Sequence, residues 1–127
     1  MNKGEITRRE VMGDDFVDHS LNNSNSFTED LQGYINEHAW GSVWQRNTIS
    51  RKTRSLITLS ALVALRAPNE LKNHVRGAVN NGCTVLEIKE TLLHNAVYCG
   101  VPATQEAFRA AAEVLLEMGM IEPSISL

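Results

Sequence analysis

The residue pair best suited to acid–base chemistry in this 127-residue chain is Glu70 and His74. They lie four positions apart in a helical pattern, which places both side chains on one helix face within reach of each other. A carboxylate beside an imidazole fixes its tautomer and raises its basicity, as a proton-transferring histidine requires. An exposed ion pair at a helix start has the same spacing, with Glu70 favouring the positive end of the helix dipole, so spacing alone leaves both interpretations open.

Arginines and tryptophans form a second group with chemical potential. Arg46 follows Trp40 and Trp44 in an irregular stretch, which suggests a pocket wall on a loop, although tryptophans covering the core would give the same sequence. Arg54 begins an apolar helix, so its planar guanidinium should lie at the core edge, where it suits carboxylate binding. Arg51 is more typical of a solvated helix end.

His94 and Tyr98 form another pair four positions apart, on a polar stripe of a mostly apolar helix. Such a stripe lines a cavity, faces a subunit boundary or contacts solvent, and a hydrogen-bonded core histidine is the commonest outcome. The histidines show neither HxH nor HExxH spacing, so we expect no metal site. Cys83 and Cys99 form no CxxC motif and are expected to be free, buried thiols.

Composition excludes several classes of protein. The length predicts a single domain over residues 1–127. The net charge of −3, with scattered lysines and arginines, argues against a nucleic-acid partner. No apolar run reaches the ~20 residues that span a bilayer, and no apolar stretch follows the first positive charges, so we expect a cytoplasmic protein without a secretory signal or membrane contact.

The elements that must position these residues are all helices. Residues 1–25 read as an N-terminal arm or short helix with a polar connection over 19–25. Two S/T-x-x-E capping boxes, at Ser26 and Thr84, open helices, and Pro68 and Pro102 begin two more. The predicted helices run from Ser26 to about His38, Ser50 to about Arg66, Pro68 to about Asn81, Thr84 to about Cys99, and Pro102 to about Met118.

Two of these helices, over 50–66 and 84–99, are apolar on nearly every side, which predicts burial. So small a chain offers few partners for them, so we expect a homo-oligomer. The C-terminal tail is also apolar enough to dock, through Met120, Ile121, Ile125 and Leu127.

Four motifs in this order resemble the carboxymuconolactone decarboxylase family over residues 3–118. They are WGxxWxR from Trp40, RSLxTL from Arg54, ELxxHxxxA from Glu70 and YxGxP from Tyr98. The resemblance implies an all-α, alkylhydroperoxidase D-like fold with a two-helix hairpin core, assembled as trimers or hexamers. It also implies decarboxylation of γ-carboxymuconolactone to β-ketoadipate enol-lactone in aromatic-acid (protocatechuate) catabolism, without metal or organic cofactor.

The same resemblance suggests roles for residues. The redox relatives carry CxxC four residues before the matching histidine, whereas this chain has Ala67 and Glu70 there, which argues against thiol peroxidase chemistry. His74 is then the expected proton donor, oriented by Glu70, acting on a small lactone carboxylate. The predicted substrate-binding set is Trp44, Arg46, Arg51, Arg54, His94 and Tyr98.

Two other functions stay open at this point. One is an alkylhydroperoxidase-like redox protein that uses Cys83 or Cys99. The other is a non-catalytic helical oligomer that binds a small acid.

Overall fold

The computed structural model describes residues 1–124, and these form α-helices, one π-helical segment and one 3₁₀ turn, with no β-strand. The predicted all-α fold is confirmed. Over these residues no helix is both long and apolar enough to cross a membrane. Two compact units divide the chain between Arg54 and Ser55; the single domain stays a prediction. The docking expected of Ile125 and Leu127 lies outside the described residues.

The first unit opens with helices α1 (Lys3–Met12) and α2 (Asp14–Asn22). Gly13 separates them with a φ of 90°, a conformation that glycine adopts without a steric penalty. The short helix predicted within residues 1–25 corresponds to α1, and α2 is a second helix that the sequence did not predict. The polar connection begins only after Asn22, because Val17 is buried and holds α2 against the core of this unit.

Helix α3 (Glu29–Tyr34) runs directly into a π-helical segment (Ile35–Trp40), and a 3₁₀ turn (Val43–Gln45) follows. The capping box predicted at Ser26 does not form.

Asn25 instead makes the side-chain contacts to the backbone before α3. Its Oδ1 accepts hydrogen bonds from the backbone N–H groups of Phe27, at 2.9 Å, and Thr28, at 3.1 Å. A short amide side chain that bonds the backbone just after it forms this turn at least as readily as a serine does.

The core of the first unit joins α1, α2 and the π-helical segment. Its buried apolar residues are Val11, Met12, Val17, Trp40 and Trp44. The two indole rings stack with centroids 4.9 Å apart. Gly4 lets the backbones meet, because a Cβ there would lie 2.1 Å from the carbonyl oxygen of Asn36.

Helix α4 (Arg51–Ala64) begins in the first unit and continues into the second, which also holds α5 (Pro68–Asn80), α6 (Val85–Cys99) and α7 (Val101–Glu117). These bounds confirm the predicted helices to within two residues at most ends.

The predicted helix caps of this region also form. Ser50 Oγ accepts from the Thr53 N–H at 3.1 Å. Both bonds of the Thr84–Glu87 capping box are present. Gly100, with a φ of 92°, separates α6 from α7.

The core of the second unit is built around α7, which packs against both α5 and α6. Small side chains on the buried face of α7, at Ala103, Ala107, Ala110 and Ala111, allow this close approach. Ion pairs join Lys72 to Glu113 at 2.8 Å and Arg76 to Glu117. Both pairs have the same sequence offset, so α5 and α7 run parallel.

Helices α4 and α6 are not buried on every side within one chain. On α4 only Ser55, Leu59 and Val63 are buried, while large apolar side chains on both helices are exposed. The prediction of full burial is wrong for the single chain, because too few neighbouring helices are present to cover more than one face.

Candidate active site

His74 lies on α5 of the second unit, one residue before the buried Val75. Its own side chain is mostly shielded from solvent. Burial lowers the pKa of its imidazole from an ordinary 6.5 to about 4, because an imidazolium loses hydration in the protein interior. His74 is therefore neutral near pH 7. The rise in basicity expected from a neighbouring carboxylate does not appear in this net pKa.

Glu70 occupies the first turn of α5 and is exposed. The α5 N-terminus has no side-chain cap, since Ala67 stands at the cap position. A carboxylate there interacts favourably with the positive helix end. The predicted spacing on one helix is thus confirmed, while the role of Glu70 toward His74 stays a prediction.

Arg54 and Arg46 are brought together in the first unit. The Arg54 guanidinium donates from Nε at 3.3 Å and from Nη2 at 3.2 Å to the backbone carbonyl of Arg46. The Arg46 side chain is exposed. The loop backbone therefore orients the Arg54 guanidinium, while Arg46 presents its own charge to solvent.

Arg51 and Trp44 have other contacts in the first unit. Arg51 Nη1 meets Glu10 Oε2 at 2.5 Å, so its charge is compensated within the chain. Trp44 is buried and stacks on Trp40. The pocket-wall interpretation of the tryptophans finds no support in this packing, which matches the alternative that they cover the core.

His94 and Tyr98 form the second residue pair on a helix of the second unit. Their rings lie 5.0 Å apart with a 37° tilt on α6, and both side chains are exposed. His94 also borders an open groove of about 630 Å³, whose other lining residues are Ser60, Glu90, Thr91, Leu93 and Val97. His94 is thus not the hydrogen-bonded core histidine that is commonest in such patterns.

Asn95 is a polar residue that the sequence analysis did not single out. It is buried, and its Nδ2 donates to Ser60 Oγ at 2.7 Å and to the Thr91 carbonyl at 2.8 Å. The Cys99 thiol donates to Asn95 Oδ1 at 3.4 Å. The sequence did contain a signal for this contact. Asn95 and Ser60 each stand among the apolar residues of a helix, and buried polar groups need hydrogen-bond partners, so the two could have been predicted to pair.

Both cysteines are free thiols, as predicted. Cys83 is buried, whereas Cys99 is only partly buried, so the predicted burial is confirmed for Cys83 alone. Within residues 1–124, no group of three or more histidine, cysteine or acidic side chains is placed to hold a metal ion.

Comparison with known proteins identifies the family of this chain. The model of the carboxymuconolactone decarboxylase family matches residues 29–113. The chain belongs to the carboxymuconolactone decarboxylase family. Membership confirms the resemblance drawn from the four motifs, and the helical architecture agrees with the alkylhydroperoxidase D-like fold expected of this family.

Three relatives show which activities, if any, appear in the names of similar proteins. The 4-carboxymuconolactone decarboxylase of Acinetobacter baylyi is 41% identical over 98% of this chain and 92% of its own length. The nitrosuccinic acid decarboxylase npaB of Metarhizium robertsii is 45% identical over 91% of this chain and 81% of its own. An uncharacterized 15.0 kDa protein of Paracoccus denitrificans is 36% identical over 61% of this chain and 60% of its own length. The two near-full-length relatives are decarboxylases, which makes this family member an enzyme of the same reaction class.

Proposed function

We propose that this chain decarboxylates γ-carboxymuconolactone to β-ketoadipate enol-lactone, in protocatechuate catabolism and without a metal or organic cofactor. The near-full-length similarity to 4-carboxymuconolactone decarboxylase supports the substrate. The observation that carries the mechanism is the shielded, neutral imidazole of His74. A group that must exchange a proton with carbon needs such a partly dry setting.

The substrate provides its own electron sink. When the bond between the ring carbon and the departing carboxylate breaks, the electron pair moves through the ring double bond onto the lactone carbonyl oxygen. The products of this step are CO₂ and an oxyfuran-like dienolate. A proton then adds to the ring carbon next to the carbonyl, so each turnover consumes one proton. The enzyme must fix the substrate, stabilise the oxyanion and supply that proton.

His74 is the proposed proton donor. It holds no proton in the free chain near neutral pH, because its pKa is about 4. A bound dianionic substrate places negative charge beside the ring and raises the pKa, so His74 takes up a proton on binding. The imidazolium then delivers this proton to carbon, with Glu70 stabilising its charge. The dry site that disfavours the free imidazolium makes it a strong acid once the carboxylate leaves as CO₂.

Arg54, with Arg46, is proposed to bind the carboxylate that stays on the product. A cation held against the departing carboxylate would stabilise the ground state and oppose its loss. Arg54 is the better candidate because the Arg46 carbonyl already orients its guanidinium. Arg51 is assigned a lesser role, since Glu10 compensates its charge.

A second candidate substrate follows from the relative named for nitrosuccinic acid. Nitrosuccinate is also a small dicarboxylic acid, and its nitro group can accept the electron pair left by CO₂ as a nitronate. The same proton donor and carboxylate-binding residues would serve. Both substrates fit one reaction type, so the choice between them is experimental.

The test is CO₂ release by the purified chain, in the presence of a strong chelator, from each of the two acids. We expect turnover of γ-carboxymuconolactone to exceed that of nitrosuccinate. The reverse order would replace the first substrate by the second. Turnover of neither acid, with peroxide reduction lost on replacing Cys83 and Cys99, would favour the redox alternative. Binding of the acids without CO₂ release would favour a non-catalytic oligomer.

A further inference from the structure

An apolar cavity of about 150 Å³ lies between α6 and α7 of the second unit. Its walls include Ile88 and Leu92 of α6, and Phe108, Ala112 and Leu115 of α7. Protein interiors are packed closely, and they hold few voids larger than a water molecule. A cavity of this size inside a small helical unit therefore calls for an explanation.

The chain beyond α7 closes one side of the cavity. Gly119 has a φ of 70°, and the N–H of Met120 donates to the carbonyl of Leu115 at 2.8 Å. A left-handed glycine with this bond ends a helix and turns the chain back over its last turn. The turn places Ile121 in the cavity wall, while the short side chain of Ala112 leaves the space unfilled. The cavity thus follows from the local sequence.

The size and walls of the cavity indicate what it can hold. A buried water needs two to four polar partners, which apolar walls do not supply, so a cavity of this kind stays dry. Apolar cavities of about 150 Å³ bind ligands of the size of benzene. A flat ring also regains the dispersion contacts that an empty space forfeits. Phe108 in the wall offers it an aromatic edge or face.

Lys89 alone carries a charge among the described residues that line the cavity. Its side chain is also exposed, so the aliphatic stem forms wall while the ammonium reaches the open side. The residues three and four positions away on α6 are valine or leucine, so this helix supplies no acidic partner. On α7, Glu113 is paired with Lys72 of α5. Glu117 is paired with Arg76 in the same way.

We propose that this cavity binds a small aromatic carboxylate, with the single ring in the apolar space and the carboxylate paired with the Lys89 ammonium. The ring supplies the missing packing, and the ion pair favours an acid over a neutral ring of the same size. Neither His74 nor Glu70 lines the cavity, so the site is separate from the proposed catalytic pair. A ligand bound there stabilises the folded chain by mass action.

The first test uses benzoate as the probe and nuclear magnetic resonance of the methyl groups as the readout. We expect a dissociation constant on the order of 1 mM or lower. Nuclear Overhauser effects should join the ring protons to methyl groups of Ile88, Leu92 and Ile121. Benzyl alcohol, which has the ring without the charge, should bind at the same place roughly three- to tenfold more weakly. Acetate, which has the charge without the ring, should show no contact with these methyl groups.

The second test fills the cavity or removes its charge. Ala112→Leu adds a side chain to the wall and should weaken both ring compounds roughly tenfold or more. Its matched control, Ala64→Leu at an exposed position of α4, should leave both affinities unchanged. Lys89→Gln should weaken benzoate roughly three- to tenfold without affecting benzyl alcohol. Lys3→Gln, at an exposed position of α1, should change neither affinity.

Three results would overturn the proposal. One is the absence of contacts between the ring protons and the cavity methyl groups in the wild type. Another is unchanged benzoate binding by a folded Ala112→Leu variant. The third is equal affinity of Lys89→Gln and wild type for benzoate, which would remove the carboxylate from the proposed ligand. The first and third results do not depend on whether Ala112→Leu folds.

Discussion

His74 shows that burial in the fold determines the protonation state of a residue, whereas the sequence can only identify that residue as a candidate. The ELxxHxxxA motif identified the histidine, and the spacing to Glu70 suggested a raised basicity. In the fold, burial removes water from the ring, and the pKa of His74 falls to about 4. A sequence pattern gives distances along a helix but not the dielectric around it, so the direction of this pKa shift was not predictable.

A first prediction concerns stability against pH. The folded chain holds a neutral His74 down to about pH 4, whereas the unfolded chain protonates it near 6.5. Between these values the unfolded state binds more protons, so the free energy of unfolding falls as pH falls, by about 3 kcal/mol in total. The free energy of unfolding therefore keeps its full His74 contribution above pH 6.5 and loses it progressively toward pH 4.

Urea unfolding at a series of pH values measures this effect. His74→Gln, which cannot titrate, should lose most of the slope between pH 6.5 and 4. If wild type and His74→Gln show the same dependence, His74 is not the buried titrating group.

A second prediction concerns turnover. His74→Gln should lower kcat by roughly 10²–10⁴-fold, the usual effect of losing a general acid or base. In the wild type the pKa seen in kcat should lie above that seen in kcat/KM, because the bound dianion stabilises the imidazolium. Glu70→Gln should cost less and lower the pKa seen in kcat.

Arg54→Ala provides the contrast. It should chiefly raise KM, since it removes binding common to ground and transition states. His74→Gln turning over within a few-fold of wild type would make His74 structural.

At the scale of elements, the helix ends of the second unit were predictable from residues close to each end. Pro68, the Thr84 capping box and Gly100 act within one turn of a helix end, so sequence reasoning placed these ends well. The first unit was harder. Asn25, rather than Ser26, bonds the backbone ahead of α3, through the N–H groups of Phe27 and Thr28. The π-helical segment (Ile35–Trp40) packs against α1, and no local pattern encodes that contact.

A third prediction tests that packing through two glycines. Gly4→Ala would place a Cβ 2.1 Å from the Asn36 carbonyl oxygen, whereas a Cβ at Gly33 meets nothing within 4 Å. We expect Gly4→Ala to destabilise the protein by about 2 kcal/mol or more, because backbone must move. Gly33→Ala, inside α3, should be neutral or stabilising by about 1 kcal/mol. Equal midpoints in urea for the two variants would contradict the close approach of α1 and the π-helical segment.

At the scale of the whole molecule, sequence predicted that α4 and α6 carry more apolar surface than one chain can cover. Within the chain each helix buries one face and leaves the other exposed. The pattern of apolar residues established the excess, but only the fold showed which face of α6 is left over. Periodicity alone could not separate the two faces, because both are apolar.

A fourth prediction concerns the two thiols. Replacing Cys83 and Cys99 together by Ala should leave decarboxylation within a few-fold of wild type, because neither thiol has a role in the proposed mechanism. Stability should fall by about 1–3 kcal/mol, since Cys83 is buried and loses core contacts. The double variant should be assayed at the wild-type oligomeric state. A hundredfold loss of turnover in a folded, assembled variant would point to thiol chemistry.

The low pKa of His74 also has a calorimetric consequence. Near pH 6 the free chain holds almost no proton on this ring. With the proposed rise of the pKa on binding, a non-reacting dicarboxylate that binds beside His74 draws one proton from the buffer. The heat of binding should then change with the ionisation enthalpy of the buffer, with a slope approaching one proton per site. In His74→Gln the slope should fall toward zero. Part of the heat recorded on binding would then come from ionisation of the buffer. The size of that part would give the number of protons that His74 takes up and that are available for transfer to carbon.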